Sequence, residues 1–176
     1  MHLEIARLAR VIYISFTNEH NMKILVSACL VGKRVRYDGA VVQPVHPTLA
    51  KWHQMKMLVP FCPEVEGGLT IPRPASEIVE GDGFSVLNGN AKIVTVYGRD
   101  VTDFFLAGAK EALQHARRFE IEFAILKDGS PSCGSSYIYD GSFSKQTKPG
   151  KGVTAAVLEQ NGICVFSEKN IEAVNL

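Results

Sequence analysis

At 176 residues, 46% of them hydrophobic and 21% charged, the chain has the size and composition of one globular domain with a core of its own. A formal charge of +1 gives no net pull toward nucleic acid or anionic lipid, so neither is an expected partner. Four cysteines at this length do not make a secreted disulfide scaffold, which is short and cysteine-dense.

Residues 1–21, MHLEIARLARVIYISFTNEHN, read as an N-terminal extension or an upstream start outside the core. The apolar run Val11 to Phe16 has the outline of a signal peptide, but Tyr13 and Ser15 interrupt it and no small-x-small cleavage site follows. It is also far too short to cross a bilayer. The domain is therefore expected to occupy 22–176, in the cytoplasm.

Ile24 to Val26 and their neighbours form a near-continuous apolar run, the pattern of a strand buried on both faces. His46-Pro47-Thr48 opens a helix over Leu49 to Met55, and Met57 to Phe61 reads as a second strand, stopped by Pro63 and Glu66-Gly67-Gly68. Between Gly83 and Val96, FSVLNGNAKIVTV alternates around Asn88-Gly89 and predicts a hairpin. Asp100, with Asp103 three residues on, predicts the cap of a long helix whose core face holds Val101, Phe104, Phe105, Gly108, Ala112 and Ala116. Phe123 to Leu126 is a third strand. Gly152 to Gln160 is a helix ending at Asn161-Gly162, and Ile163 to Phe166 is a fourth strand.

Strands alternating with helices predict a single three-layer α/β domain with a mostly parallel, Rossmann-like sheet and a β-hairpin insertion. Such sheets bind ligands beyond the carboxyl ends of their strands. Cys29, Cys62 and Cys133 all follow strand ends and are expected at that edge; Cys164 starts the fourth strand, at the opposite edge.

A free cysteine is usually a small buried hydrophobe, and Cys164 between Ile163 and Val165 fits that description. The other three have loop neighbours: Ser27 before Cys29, Pro63 and Glu64 after Cys62, Ser132 and Gly134 around Cys133. Three thiolates at one point need a cation between them. Structural zinc usually takes four ligands with local Cys-x-x-Cys pairs, and this chain has no such pair. A [4Fe–4S] cluster accepts thiolates from distant loops, and three of them leave one iron open as a Lewis acid with a preference for sulfur.

Around that edge Glu64 is a candidate proton carrier, and Ser130 and Ser132, on either side of Pro131, are candidate assisting hydroxyls. Arg36 and Arg73 supply positive charge near the edge and are candidates for binding substrate. Tyr37-Asp38-Gly39 and Tyr139-Asp140-Gly141 read first as turns. Their position after cysteine loops makes Tyr37, Asp38 and Asp140 candidates for shaping a substrate pocket.

The motifs S-x-C-L-x-G…R-Y-D-G (Ser27 to Gly39), P-x-C-P-E…G-G-L…P-R-P…E (Pro60 to Glu77), L-K…S-P-S-C-G…Y-D-G-x-F (Leu126 to Phe143) and G-V-T-A-A-V-L…G-I-x-V-F-S-E (Gly152 to Glu168) occur in order. Together they resemble the domain of unknown function 523 family, whose characterised members are thiouracil desulfidases. The resemblance runs from about Met22 to Val174. It implies removal of sulfur from a thiolated pyrimidine, as in 2-thiouracil to uracil, at a [4Fe–4S] cluster held by three cysteines with one open iron. On this chain the implied ligands are Cys29, Cys62 and Cys133, the implied acid/base is Glu64, and the assisting serine is Ser130 or Ser132. The implied partner is a small thiolated pyrimidine, with a homodimer left open. The segment Ser144 to Lys151, SKQTKPGK, is richer in lysine than the family pattern.

Two other readings of the same residues stand beside this one. In the first, a cluster or a zinc ion organises the loops of a binding or sensing protein without turnover. In the second, Cys133 is the nucleophile of a metal-free enzyme, although no histidine partner is evident.

Overall fold

The computed structural model describes residues 22–43 and 45–174; the expected extension at 1–21 lies outside the described residues. β1 (Ile24–Ser27) is buried along its whole length, as its apolar run requires of a strand with a layer on each side. A three-ten turn, Ala28–Val31, follows it. α1 (Pro47–Gln54) starts with Pro47 in its first turn, and His46 Nδ1 accepts the Thr48 amide at 3.2 Å. β2 (Leu58–Phe61) leads into the single turn α2 (Pro63–Glu66). Next come β3 (Ser76–Val79), α3 (Gly83–Leu87), β4 (Lys92–Thr95) and the long α4 (Thr102–Arg118). β5 (Phe123–Leu126), β6 (Tyr137–Tyr139), β7 (Thr147–Pro149), α5 (Val153–Gln160) and β8 (Cys164–Ser167) complete the order before a last three-ten turn, Ile171–Ala173.

The central sheet has the order β2-β1-β5-β8, with every pairing parallel. Alternation along the strands divides the core. Leu25, Ala124 and Leu126 pack on Ala112 and Ala116 of α4 and on Ala155 and Leu158 of α5. Ile24, Val26, Phe123 and Ile125 face the other way, onto Leu49 and Trp52 of α1 and onto Ile171 and Val174. The expected three layers are present. Cys164 pairs with Phe123 at the amino ends of the strands, away from the other three cysteines.

Residues 84–96 do not form the expected hairpin. Asp82 Oδ1 accepts the Ser85 amide at 3.1 Å and starts α3, so the first half of the segment is helical. Asn88-Gly89 then stops that helix: Gly89 has φ +74° and its amide bonds Val86 O at 3.0 Å. β4 pairs instead with the upstream β3, antiparallel, Ser76 opposite Thr95. A second antiparallel pair, β6 with β7, was not expected: Tyr137-Ile138-Tyr139 is a run of strand formers, but a short one beside a stretch rich in serine, glycine and lysine. At α4, Asp100 Oδ1 accepts from Thr102 N at 3.0 Å and from Thr102 Oγ1 at 2.7 Å, while Val101 is the N-cap residue and makes no side-chain cap bond.

Candidate functional site

Because β1, β2 and β5 are parallel neighbours, the loops at their carboxyl ends leave the sheet side by side. Each brings one cysteine to a single cavity of about 430 Å³. Cys29 sits on the three-ten turn after β1. Cys62 is the N-cap of α2, its Sγ 3.8 Å from Val35 O. Cys133, in the loop after β5, is only 6% exposed. All are free thiols.

Burial pushes the Cys29 thiol up to about 11, and the charge of a neighbouring Cys62 thiolate adds to the rise. Burial also raises Cys62. It raises Cys133 well above the ordinary thiol value, with Cys62 and Cys29 contributing. The three sulfurs therefore feel one another, and ionising them together requires a cation among them. Among the described residues, no group of three or more His, Cys, Asp or Glu side chains is arranged to hold a metal ion. The described lining residues include no histidine. Three soft donors from three separate loops are the set that suits an iron–sulfur cluster.

Glu64 lies in the turn of α2, two residues past Cys62. Arg73 Nε donates to its Oε2 at 2.8 Å, and Ser130 Oγ donates to its Oε1 at 3.2 Å. Ser130 Oγ accepts from the amides of Ser132 and Cys133, both at 3.0 Å. Those two bonds occupy the lone pairs of the hydroxyl, which leaves its hydrogen for the carboxylate. Ser132 faces elsewhere: it is fully buried, and its Oγ lies 2.8 Å from Thr154 Oγ1 on α5.

Arg36, Tyr37 and Arg73 line the cavity with Glu64, Ser130 and the cysteines; Asp38, Ser132 and Asp140 do not. Asp38 accepts Arg36 Nε at 3.2 Å and Nη2 at 3.1 Å, and the bond from Arg36 holds its carboxyl below the usual range. The Arg36 guanidinium lies 5.7 Å from the Tyr37 ring centroid. Asp140 is half-buried and accepts from Ser142 N and Oγ, while Tyr139 before it lines the cavity. Tyr37 and Asp38 form a turn, whereas Tyr139 ends β6 and the bend begins after it; in both units the tyrosine lines the cavity and the aspartate is bonded within its own loop.

Sequence reasoning passed over Lys127 and Asp128, which also line the cavity. Lys127 Nζ pairs with Glu168 Oε1 at 2.6 Å, and Glu168 Oε2 accepts the Asp128 amide at 2.8 Å. Asp128 Oδ1 accepts Ser135 N and Ser136 N, each at 2.8 Å, and Oδ2 accepts Ser167 Oγ at 2.7 Å. Burial works to raise this carboxyl, but the bonds from Ser167, Ser136 and Ser135 outweigh it and hold the group low. A signal existed: β5 and β8 are adjacent and parallel, so polar residues just past Leu126 and Ser167 had to meet.

A family model described as 2-thiouracil desulfurase matches residues 24–170, a span that contains every cysteine and every other residue named in this cavity. The chain belongs to the 2-thiouracil desulfurase family. A relative, the uncharacterised protein YbbK of Bacillus subtilis (strain 168), is 44% identical over 151 residues, covering 86% of this chain and 99% of its own. A solved structure described as a [4Fe-4S]-dependent thiouracil desulfidase, TudS, superposes with a TM-score of 0.78 at 42% identity, over 87% of this chain and 95% of that one. The four-stranded parallel core of this desulfurase-family chain is therefore matched in both sequence and shape.

Proposed function

We propose that the chain is a [4Fe–4S]-dependent desulfidase that converts a thiolated nucleobase such as 2-thiouracil into the oxo base and hydrosulfide. One observation carries this: three cysteines from three loops share a cavity with a carboxylate whose two oxygens accept from Arg73 and Ser130. Cys29, Cys62 and Cys133 are the residues that would hold the cluster. When bound, the cluster supplies a Lewis-acidic iron without a cysteine ligand and a soft acceptor for sulfur.

The chain's own residues do the rest. Arg36 and Tyr37 at the rim face the base, and Asp38 fixes the direction of Arg36. Glu64 takes a proton from the water whose oxygen bonds to the thiocarbonyl carbon, and Ser130 donates to the same carboxylate. The carbon–sulfur bond then breaks with its electron pair on sulfur, and the second proton of the water leaves as the carbonyl forms. The sum is thiocarbonyl plus water to carbonyl plus hydrogen sulfide, with no net change of oxidation level. Ser130 is the assisting hydroxyl of this scheme. Asp140 shapes the rim through the bend that follows Tyr139 at the end of β6. We place the reaction in the cytoplasm, where thiols stay reduced. Among the described residues no helix is long and apolar enough to cross a membrane.

Anaerobic purification tests the reading. The expected protein is brown, carries about four irons, and releases hydrosulfide from 2-thiouracil. Cys29→Ala, Cys62→Ala and Cys133→Ala are each expected to lose iron, and Cys164→Ala to keep it. A colourless zinc protein, or full activity in Cys29→Ala and Cys62→Ala, would end the cluster proposal in favour of the sensor or the Cys133 nucleophile.

A further inference from the structure

Arg73 belongs to the P-R-P motif and was expected to meet substrate, yet its bonds run to the protein. Nε donates to Glu64 Oε2 at 2.8 Å, Nη1 to Thr70 O at 3.2 Å and Nη2 to Val35 O at 2.9 Å. Its backbone amide bonds Tyr37 O at 2.8 Å. The side chain is only 5% exposed although it lines the cavity. Pro72 and Pro74 restrict the backbone on either side. The residue is thus pinned to the loop after Cys29 through Val35 and Tyr37, and to the loop after Cys62 through Glu64.

A planar guanidinium held on three sides has no freedom to turn. The carboxylate it holds does have freedom of its own, because the last torsion of a glutamate is broad and nearly unrestrained. The single bond from Ser130, at 3.2 Å, leaves the carboxylate able to swing about that contact. The shorter bond from Arg73 Nε supplies the second fixed point, and two fixed points define the plane of the carboxylate.

We infer that Arg73 is a positioning residue of the desulfidase reaction, whose guanidinium, bonded to Val35, Thr70 and Glu64, sets the direction in which the Glu64 carboxylate meets water. The inference rests on the desulfidase reading. It differs from a substrate-binding role, in which loss of the arginine would weaken binding, and from a scaffold role, in which loss would empty the cysteine site.

The test compares Arg73→Lys, Glu64→Gln and the double variant as anaerobically loaded proteins, with iron content and the separate kcat and KM for 2-thiouracil as readouts. Lysine keeps the charge and the stem, but a single ammonium cannot make the three directed bonds. Expected are iron content equal to wild type, KM within about twofold, and kcat lower by about 100-fold, the scale on which a reacting group displaced by an ångström loses rate. Because Arg73 acts through Glu64, the double variant should be no slower than Glu64→Gln within about twofold. Arg73→Met, which keeps the length of the stem but has no N–H donor for Glu64, is read the same way and decides the matter if the lysine variant does not fold. Unchanged kcat, a raised KM with kcat intact, loss of iron in both arginine variants, or independent losses that multiply in the double variant would each overturn the inference. Iron-loaded wild type that leaves 2-thiouracil intact would overturn the desulfidase reading and this inference with it; an active wild type with any of those patterns overturns the inference alone.

Discussion

Ser130 and Ser132 flank Pro131 in a sequence, S-P-S, that is symmetric on paper. The fold makes them opposite in kind. Ser130 Oγ accepts two loop amides and points its hydrogen at Glu64, whereas Ser132 spends its hydroxyl on Thr154 inside the core. Ser130→Ala is therefore expected to slow hydrosulfide release by about 10-fold, less than the roughly 100-fold or more that the proton carrier itself supplies. Ser132→Ala should leave turnover near wild type and lower stability by about 1–3 kcal/mol, because Thr154 loses its buried partner. Steady-state kinetics and thermal melts on the two variants separate these outcomes, and the reverse pattern would make Ser132 the assisting residue. The cysteines were legible because a sulfur past a buried strand stands out among loop residues. The choice between the serines was not, since it depends on which side of one turn meets α5. The bonds of Arg73 were hidden for a similar reason: a charge near an edge does not reveal that its donors are already committed.

At the scale of elements, the placement of Cys62 and Glu64 depends on how closely α2 approaches α4. Gly67 and Gly108 make that approach possible: a Cβ on Gly108 would run into the Pro63 carbonyl, and one on Gly67 into the Phe104 carbonyl. Alanine at 108 would favour the helix itself by about 1 kcal/mol. The collision with backbone costs more, about 1–3 kcal/mol for an overpacked contact. Gly108→Ala is therefore expected to destabilise the protein and reduce iron loading together, read by a thermal melt and an iron assay; a more stable variant with full iron would show that α2 can move without harm to the site. The glycine was visible in the core stripe of the predicted helix, but its neighbour was not, because the contact joins residues 45 positions apart by the distance from Pro63 to Gly108. Periodicity found the buried strands β1 and β5 to within a residue. It failed at Asn88-Gly89, where one dipeptide serves equally as a hairpin turn and as a helix stop, and the cap at Asp82 decided for the helix.

In the molecule as a whole, the two apolar layers that hold the sheet lie largely apart from the cavity. Leu25, Ala124 and Leu126 meet α4 and α5 on one face, Ile24, Val26 and Ile125 meet α1 and the last turn on the other, and of the three clustered cysteines only Cys133 is fully buried in this packing. Loop anchors that need no metal include the Asp128 carboxylate, which joins Ser135 and Ser136 to Ser167, and the Arg73 guanidinium, which joins the other two cysteine loops. Burial also favours the neutral thiol at each cysteine, so iron-free protein does not confine three negative charges in one place. The scaffold should therefore persist without the cluster, unlike a small zinc domain that unfolds when its metal is withdrawn. Chelating iron from the purified protein is expected to leave the far-ultraviolet circular dichroism unchanged. Faster amide exchange should be confined to the loops after β1, β2 and β5, with strand amides as protected as before. Collapse of protection across β1 and β5 on iron removal would mean that the cluster is part of the core, and that the cavity is made by its occupant.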